Sequence, residues 1–128
     1  AVRTAITAAA CPPVWMNALG ERLHAWPDGA SAMWRFRSSS NAEDVLGFSG
    51  AGLYASEAGC LADDTDADAT GPSACDVDKR KEHGVCAALK AVWASVWNLR
   101  AFEERDFAGI PHAQVSMGVL VNARIKGE

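Results

Sequence analysis

The chain is expected to fold as a mixed α/β (α+β) domain, and three observations carry that expectation. Apolar residues recur at helical spacing after Pro12-Pro13 and again through residues 79–107. Two runs, 33–39 and 114–121, are rich in aromatic, β-branched and alternating residues that suit strands. Glycine, proline and acidic turn residues punctuate the chain between them. With 128 residues, 49% of them hydrophobic, the chain can bury one modest core but not two, so residues 1–128 read as a single domain.

In chain order, residues 1–11 are small and Ala-rich, with a faint signal-peptide flavour but neither an initiating Met nor a proper apolar core. They read as an internal cut of a longer chain. Pro13, Val14, Met16, Leu19, Leu23 and Trp26 predict an amphipathic helix over 13–25 that Pro27-Asp28-Gly29 terminates. Residues 33–39 predict a strand, 40–50 a loop with one helical turn from Asn41 to Leu46, and 51–56 a second short strand. Residues 57–78 are small, acidic and turn-rich, hence a loop or insertion. From 79 to 107, good helix formers with apolar residues at 85, 89, 92, 96 and 99 predict one long, largely buried helix. Trp93, Trp97 and Ala101 form an adjoining stripe, the tryptophans as core. Gly109-Ile110-Pro111 ends that helix, and residues 114–121 predict the last strand.

A net charge of −4 and a pI near 5.3 provide no basic field, which argues against nucleic acid as a partner. No apolar run approaches the ~20 residues of a membrane-spanning helix. The four cysteines show no C-x-x-C spacing, so a zinc knuckle is disfavoured. Cys60 and Cys75 flank the acidic loop, where a disulfide would suit an oxidising compartment and reduced thiols would suit a cytoplasmic enzyme. The expectation is a cytoplasmic protein, with an extracytoplasmic one as the alternative if Cys60 and Cys75 are bridged. Asp64, Asp66 and Asp68 stand at the first, third and fifth positions of an EF-hand-like loop, but Ala69 and Cys75 occupy the turn-glycine and bidentate-Glu positions, so a solvated loop is the better reading. Gly47-Phe48-Ser49-Gly50-Ala51 approximates a nucleophile elbow, yet the residues before Ser49 do not read as the strand that motif requires.

The chemistry-bearing stretch is Arg37-Ser38-Ser39-Ser40-Asn41-Ala42-Glu43-Asp44, followed by Gly47-Phe48-Ser49-Gly50-Ala51-Gly52-Leu53-Tyr54. The lead-in Met33-Trp34-Arg35-Phe36 delivers Arg37 to a strand end, where its planar fork of donors suits phosphate oxygens. Consecutive serines and their backbone N–H groups can form a concave donor nest. Gly50 and Gly52 allow backbone to approach a ligand that a Cβ would exclude, as a flap over the phosphates. Glu43 and Asp44 read as residues that cap or orient Arg37 and the serine amides.

The block from Arg37 to Tyr54 resembles the "RSSSNAEDLPGFSGAGLY" signature of the ATP-binding domain shared by phosphoenolpyruvate synthase, pyruvate phosphate dikinase and similar dikinases. Val92 to Arg105 resembles the same family's "VWASLWNxRAFEER" helix, and Met117 to Val121 its following strand. The resemblance implies the N-terminal portion of an ATP-grasp-type nucleotide-binding domain. It implies that Arg37, Ser38, Ser39, Gly50, Gly52 and Arg100 bind the phosphates of ATP, with Mg2+ ligands lying outside this chain and no catalytic residue within it. The implied activity moves a phosphoryl group from ATP to a histidine on a separate phosphohistidine domain, then to pyruvate or another acceptor. The implied partners are that domain and the remaining half of the ATP-binding domain. No Gly-Gly-Lys phosphate motif precedes the first helix. The alternative is therefore a non-catalytic nucleotide-binding or interaction module with the same fold.

Overall fold

The computed structural model describes residues 2–29, 31–41, 44–45, 48–49, 53–65 and 70–124. Two helices open the chain, α1 (Val2–Ala8) and α2 (Pro13–His24). Pro13 stands in the first turn of α2, where a missing N–H costs nothing and φ is already helical. Strand β1 (Trp34–Ser40) follows, then β2 (Asp44–Val45), β3 (Phe48–Ser49) and β4 (Ser56–Gly59). A short helix α3 (Leu61–Thr65) leads through an irregular stretch to α4 (Val85–Ala94), a 3-10 turn (Ser95–Trp97), α5 (Leu99–Ala108), a second 3-10 turn (His112–Gln114) and β5 (Met117–Ala123).

One antiparallel sheet has the order β4-β1-β5, with β1 central, and β2 pairs with β3 as a separate hairpin. Along β1, Trp34, Phe36, Ser38 and Ser40 lie opposite Ala123, Val121, Val119 and Met117 of β5. Alternation puts these residues on one face, and the helices cover it. Trp34 and Phe36 join Leu23 of α2 and Val85, Ala88 and Val92 of α4 in the main core, with Met16, Leu19, Met117, Val119 and Val121 packed around them. Gly59 lies so close to the Phe36 ring that a Cβ there would clash with it at 2.5 Å.

Several predicted elements change. The single helix over 79–107 is broken into α4, the 3-10 turn and α5. Ser95 Oγ donates to the Val92 carbonyl at 2.5 Å, competing with the helical ladder, and Asn98 turns extended at ψ 141°. The apolar periodicity runs straight through this break, which is why the sequence reads as continuous. Trp93 and Trp97 are half-buried rather than core. Asp44 and Val45, within the helical turn expected from Asn41 to Leu46, pair instead as β2 with β3, and of the described residues in the strand expected over 51–56 only Ser56 is in one, β4.

The 57–78 segment is not all loop, since it holds part of β4 and all of α3. Asp64, considered above as a calcium ligand, accepts from the Val85 N–H at 2.7 Å and so caps α4 from outside the helix. Two disulfides tie the chain, Cys60–Cys75 and Cys11–Cys86, so the reduced cysteines of the cytoplasmic expectation are bridged here. The second pairing, 75 residues apart in sequence, had no local signal. No described helix is long and apolar enough to cross a membrane.

Candidate functional site

Arg37 is on the central strand, on the face opposite the helices, together with Arg35 and Ser39. Its Nε donates to Asn122 Oδ1 at 3.0 Å across the sheet, which fixes the plane of the guanidinium. Asn122 in turn donates from Nδ2 to the Ala123 carbonyl at 3.0 Å, so its oxygen is oriented toward Arg37. Leu120 is directly opposite Arg37 and is 61% exposed, which leaves apolar surface beside the cation. Arg35 lies two residues back on this face, about 6.6 Å along the strand. Its Nε is buried and has no hydrogen-bond partner among the described residues.

Ser38 and Ser39 are in extended strand, paired with Val119 and Gly118. Their side chains therefore leave opposite faces, Ser39 exposed with Arg37 and Ser38 half-buried toward the helices. The expected nest of consecutive hydroxyls is split by this alternation, so Arg37 and Ser39 share a face while Ser38 does not. Gly50 and Gly52 lie outside the described residues, as do the side chains of Glu43 and Asp44.

Arg100 is in the first turn of α5 and is exposed. The demand that a cation on this helix find a partner falls instead on Arg105, which is fully buried. Its Nη2 donates to the Val96 carbonyl at 2.6 Å, Nη1 to the Tyr54 hydroxyl at 3.2 Å and Nε to His112 Nδ1 at 3.2 Å. The Phe102 ring stacks on His112 with centroids 3.9 Å apart. Sequence reasoning missed Arg105, Asn122 and Asn41. Arg105 stands in the Val92–Arg105 block, but nothing local marks it as buried, and Asn122 matters only through cross-strand register.

Asn41, just past β1, makes three hydrogen bonds to the residues that lead into β5. Its N–H donates to the Ser116 carbonyl at 3.2 Å, its Nδ2 to the Gln114 carbonyl at 2.9 Å, and its Oδ1 accepts from the Ser116 N–H at 2.9 Å.

Elsewhere, a cavity of about 1130 Å³ lies between α2, α3 and the Cys11–Cys86 bridge, lined by Met16, Gly20, His24, Leu61 and Asp64 among others. Of the candidate phosphate-binding residues, the described Arg37, Ser38, Ser39 and Arg100 do not line it. Among the described residues no three His, Cys, Asp or Glu side chains group as a metal site.

No curated protein matches this sequence significantly. The family model described as the pyruvate phosphate dikinase AMP/ATP-binding domain matches residues 1–128. Its match spans the strand that carries Arg37, the hairpin after it and the helix that carries Arg105, and the chain belongs to the pyruvate phosphate dikinase AMP/ATP-binding domain family.

Proposed function

We propose that this chain is the N-terminal portion of an ATP-grasp-type domain and holds the phosphates of ATP at the Arg37 end of β1, on the face opposite the helices. Arg37 is the principal ligand, Ser39 donates from the same face, and Ser38 contributes through its backbone. Arg100 approaches the phosphates from α5, and Gly50 and Gly52 permit close backbone approach from the adjoining segment. The single observation that carries this reading is Arg37 itself, a guanidinium on the central strand whose Nε is engaged by Asn122 while its face carries a second cation, Arg35. Two arginines on one face, their backbones about 6.6 Å apart along the strand, supply cationic groups suited to a polyphosphate chain.

Phosphoryl transfer asks a protein chiefly for positioning and charge neutralisation. In the intact enzyme these residues hold ATP while its phosphoryl group passes to a histidine on a separate domain, and from there to pyruvate or another acceptor. Mg2+ would be held by residues of the remaining half of the domain and would neutralise charge as the phosphoryl group leaves. This makes the parent protein a kinase-type phosphotransferase. Residues 1–128 provide one wall of the nucleotide cleft.

The test is a comparison of Arg37→Ala with the natural protein in Mg-ATP binding and in phosphohistidine formation. Loss of both with an unchanged thermal midpoint supports the reading. Unchanged affinity and turnover would sink it.

A further inference from the structure

We propose that the α5–β5 connection, residues 105–116, is the mount of the segment between Asn41 and Tyr54, and that Arg105 and Asn41 are positioning residues. The proposal rests on the phosphate-site reading above, because that segment follows Arg37 and Ser39 directly.

Both described ends of the segment are tied to this one connection. At the leading end, Asn41 is locked to Gln114 and Ser116 by three hydrogen bonds. At the trailing end, the Tyr54 hydroxyl accepts from Arg105 Nη1. Arg105 is held in turn by the Val96 carbonyl and by His112 of the same connection, which Phe102 stacks against.

Between the two ends lies the β2–β3 hairpin, with only two residues in each strand. A two-stranded hairpin of that size is not stable alone in water, so the ties at its two described ends contribute to its placement. Arg105 donates to a carbonyl, a hydroxyl and an imidazole nitrogen, none of them a carboxylate, and a fully buried guanidinium satisfied this way is weak as a source of stability. What it adds is direction. A three-point donor fork fixes the Tyr54 hydroxyl against Val96 and His112, which an apolar contact cannot do.

The connection is itself rigidly started. Gly109 adopts φ 73° at the end of α5, and the Ile110 N–H returns to the Arg105 carbonyl at 2.9 Å. The backbone of Arg105 thus closes the helix while its side chain reaches Tyr54. A shift of this residue would be transmitted to the segment that follows the phosphate-binding strand.

The experiment compares Tyr54→Phe, which removes only a hydroxyl, and Asn41→Ala with the natural protein. Amide hydrogen exchange at Asp44, Val45, Phe48 and Ser49 and Mg-ATP affinity are the readouts, with exchange at Val92 in α4 reporting global stability. The expected result is at least tenfold faster exchange at the four hairpin amides and several-fold weaker Mg-ATP binding, with Val92 unchanged. Arg105→Lys, which keeps the charge and loses the fork, should reproduce the Tyr54→Phe pattern. Hairpin exchange equal to the natural protein in both variants overturns the proposal, and so does acceleration that Val92 shares in full. If the natural protein shows no Mg-ATP response at Arg37, the phosphate-site reading fails, and the hairpin exchange rates alone then decide the mount.

Discussion

Arg37 shows how much of a site depends on a partner far away in sequence. Its position at the end of a strand follows from the local alternation of 33–39, but the Nε bond to Asn122 spans 85 residues and exists only because β5 pairs with β1 in one register. Removing the guanidinium takes away charge-assisted hydrogen bonds worth about 1.5–3 kcal/mol each to a bound phosphate. Arg37→Ala is therefore expected to weaken Mg-ATP binding at least tenfold, and isothermal titration checks this. Asp63 makes a different residue-scale case. Burial pushes its carboxyl up, but hydrogen bonds from Ser73, Ala74 and His83 outweigh burial and hold it below its ordinary value of 3.8. A depressed carboxylate contributes stability that is present above the unfolded value and lost as pH falls through the folded one. Neighbouring Asp64 is raised, mainly by burial, so its contribution has the opposite sign and is lost as pH rises. Asp63→Asn should lower the thermal midpoint at neutral pH and flatten its decline as pH falls below the ordinary carboxylate value of about 3.9. An unchanged acid limb in a series of melts would show that Asp63 does not carry it.

At the scale of elements, local pattern and non-local geometry divide what could be read in advance. The helix read over 13–25 is found at Pro13–His24, and the strand read over 33–39 at Trp34–Ser40, because proline stops and short-period alternation are local signals. The break at Asn98 was hidden, since the apolar stripe continues across it while a single serine hydroxyl and one extended residue interrupt the backbone. The serine run failed as a nest for a similar reason. Three consecutive hydroxyls suggest convergence, but in an extended strand adjacent side chains diverge. Of the site, Arg37 and Ser39 were legible as neighbours in sequence and share a face. The roles of Asn41, Asn122 and Arg105 arise from contacts 51 to 85 residues away, beyond the reach of periodicity. Phe36, fully buried between the sheet and α4, tests this packing most simply. Phe36→Ala should cost about 3–5 kcal/mol in chemical denaturation, whereas the half-buried Trp97→Ala should cost less than that range. Equal losses for the two would contradict the assignment of the core.

For the whole molecule, two disulfides supplement a small core. The closed loops differ in length, 15 and 75 residues of separation, and loop-closure entropy assigns about 3 kcal/mol to the shorter and up to about 4.7 kcal/mol to the longer. Alkylation of the native protein should modify none of the four cysteines before reduction and all of them after it, and reduction should lower the thermal midpoint. Free thiols in protein isolated without reductant would instead support the cytoplasmic expectation. In the proposed function, the Arg37 end of β1 binds the phosphates of ATP as one wall of a larger cleft. With few charged contacts and little surface to bury adenine, residues 1–128 alone should bind Mg-ATP with a Kd of about a millimolar or weaker. Titration of Mg-ATP followed by amide chemical shifts tests this most directly. The expected result is shifts centred on Arg37, Ser38, Ser39 and the adjoining hairpin, with a response at Arg100. Micromolar binding centred on the cavity beside Met16, His24 and Leu61, or no shift at saturating nucleotide, would contradict it.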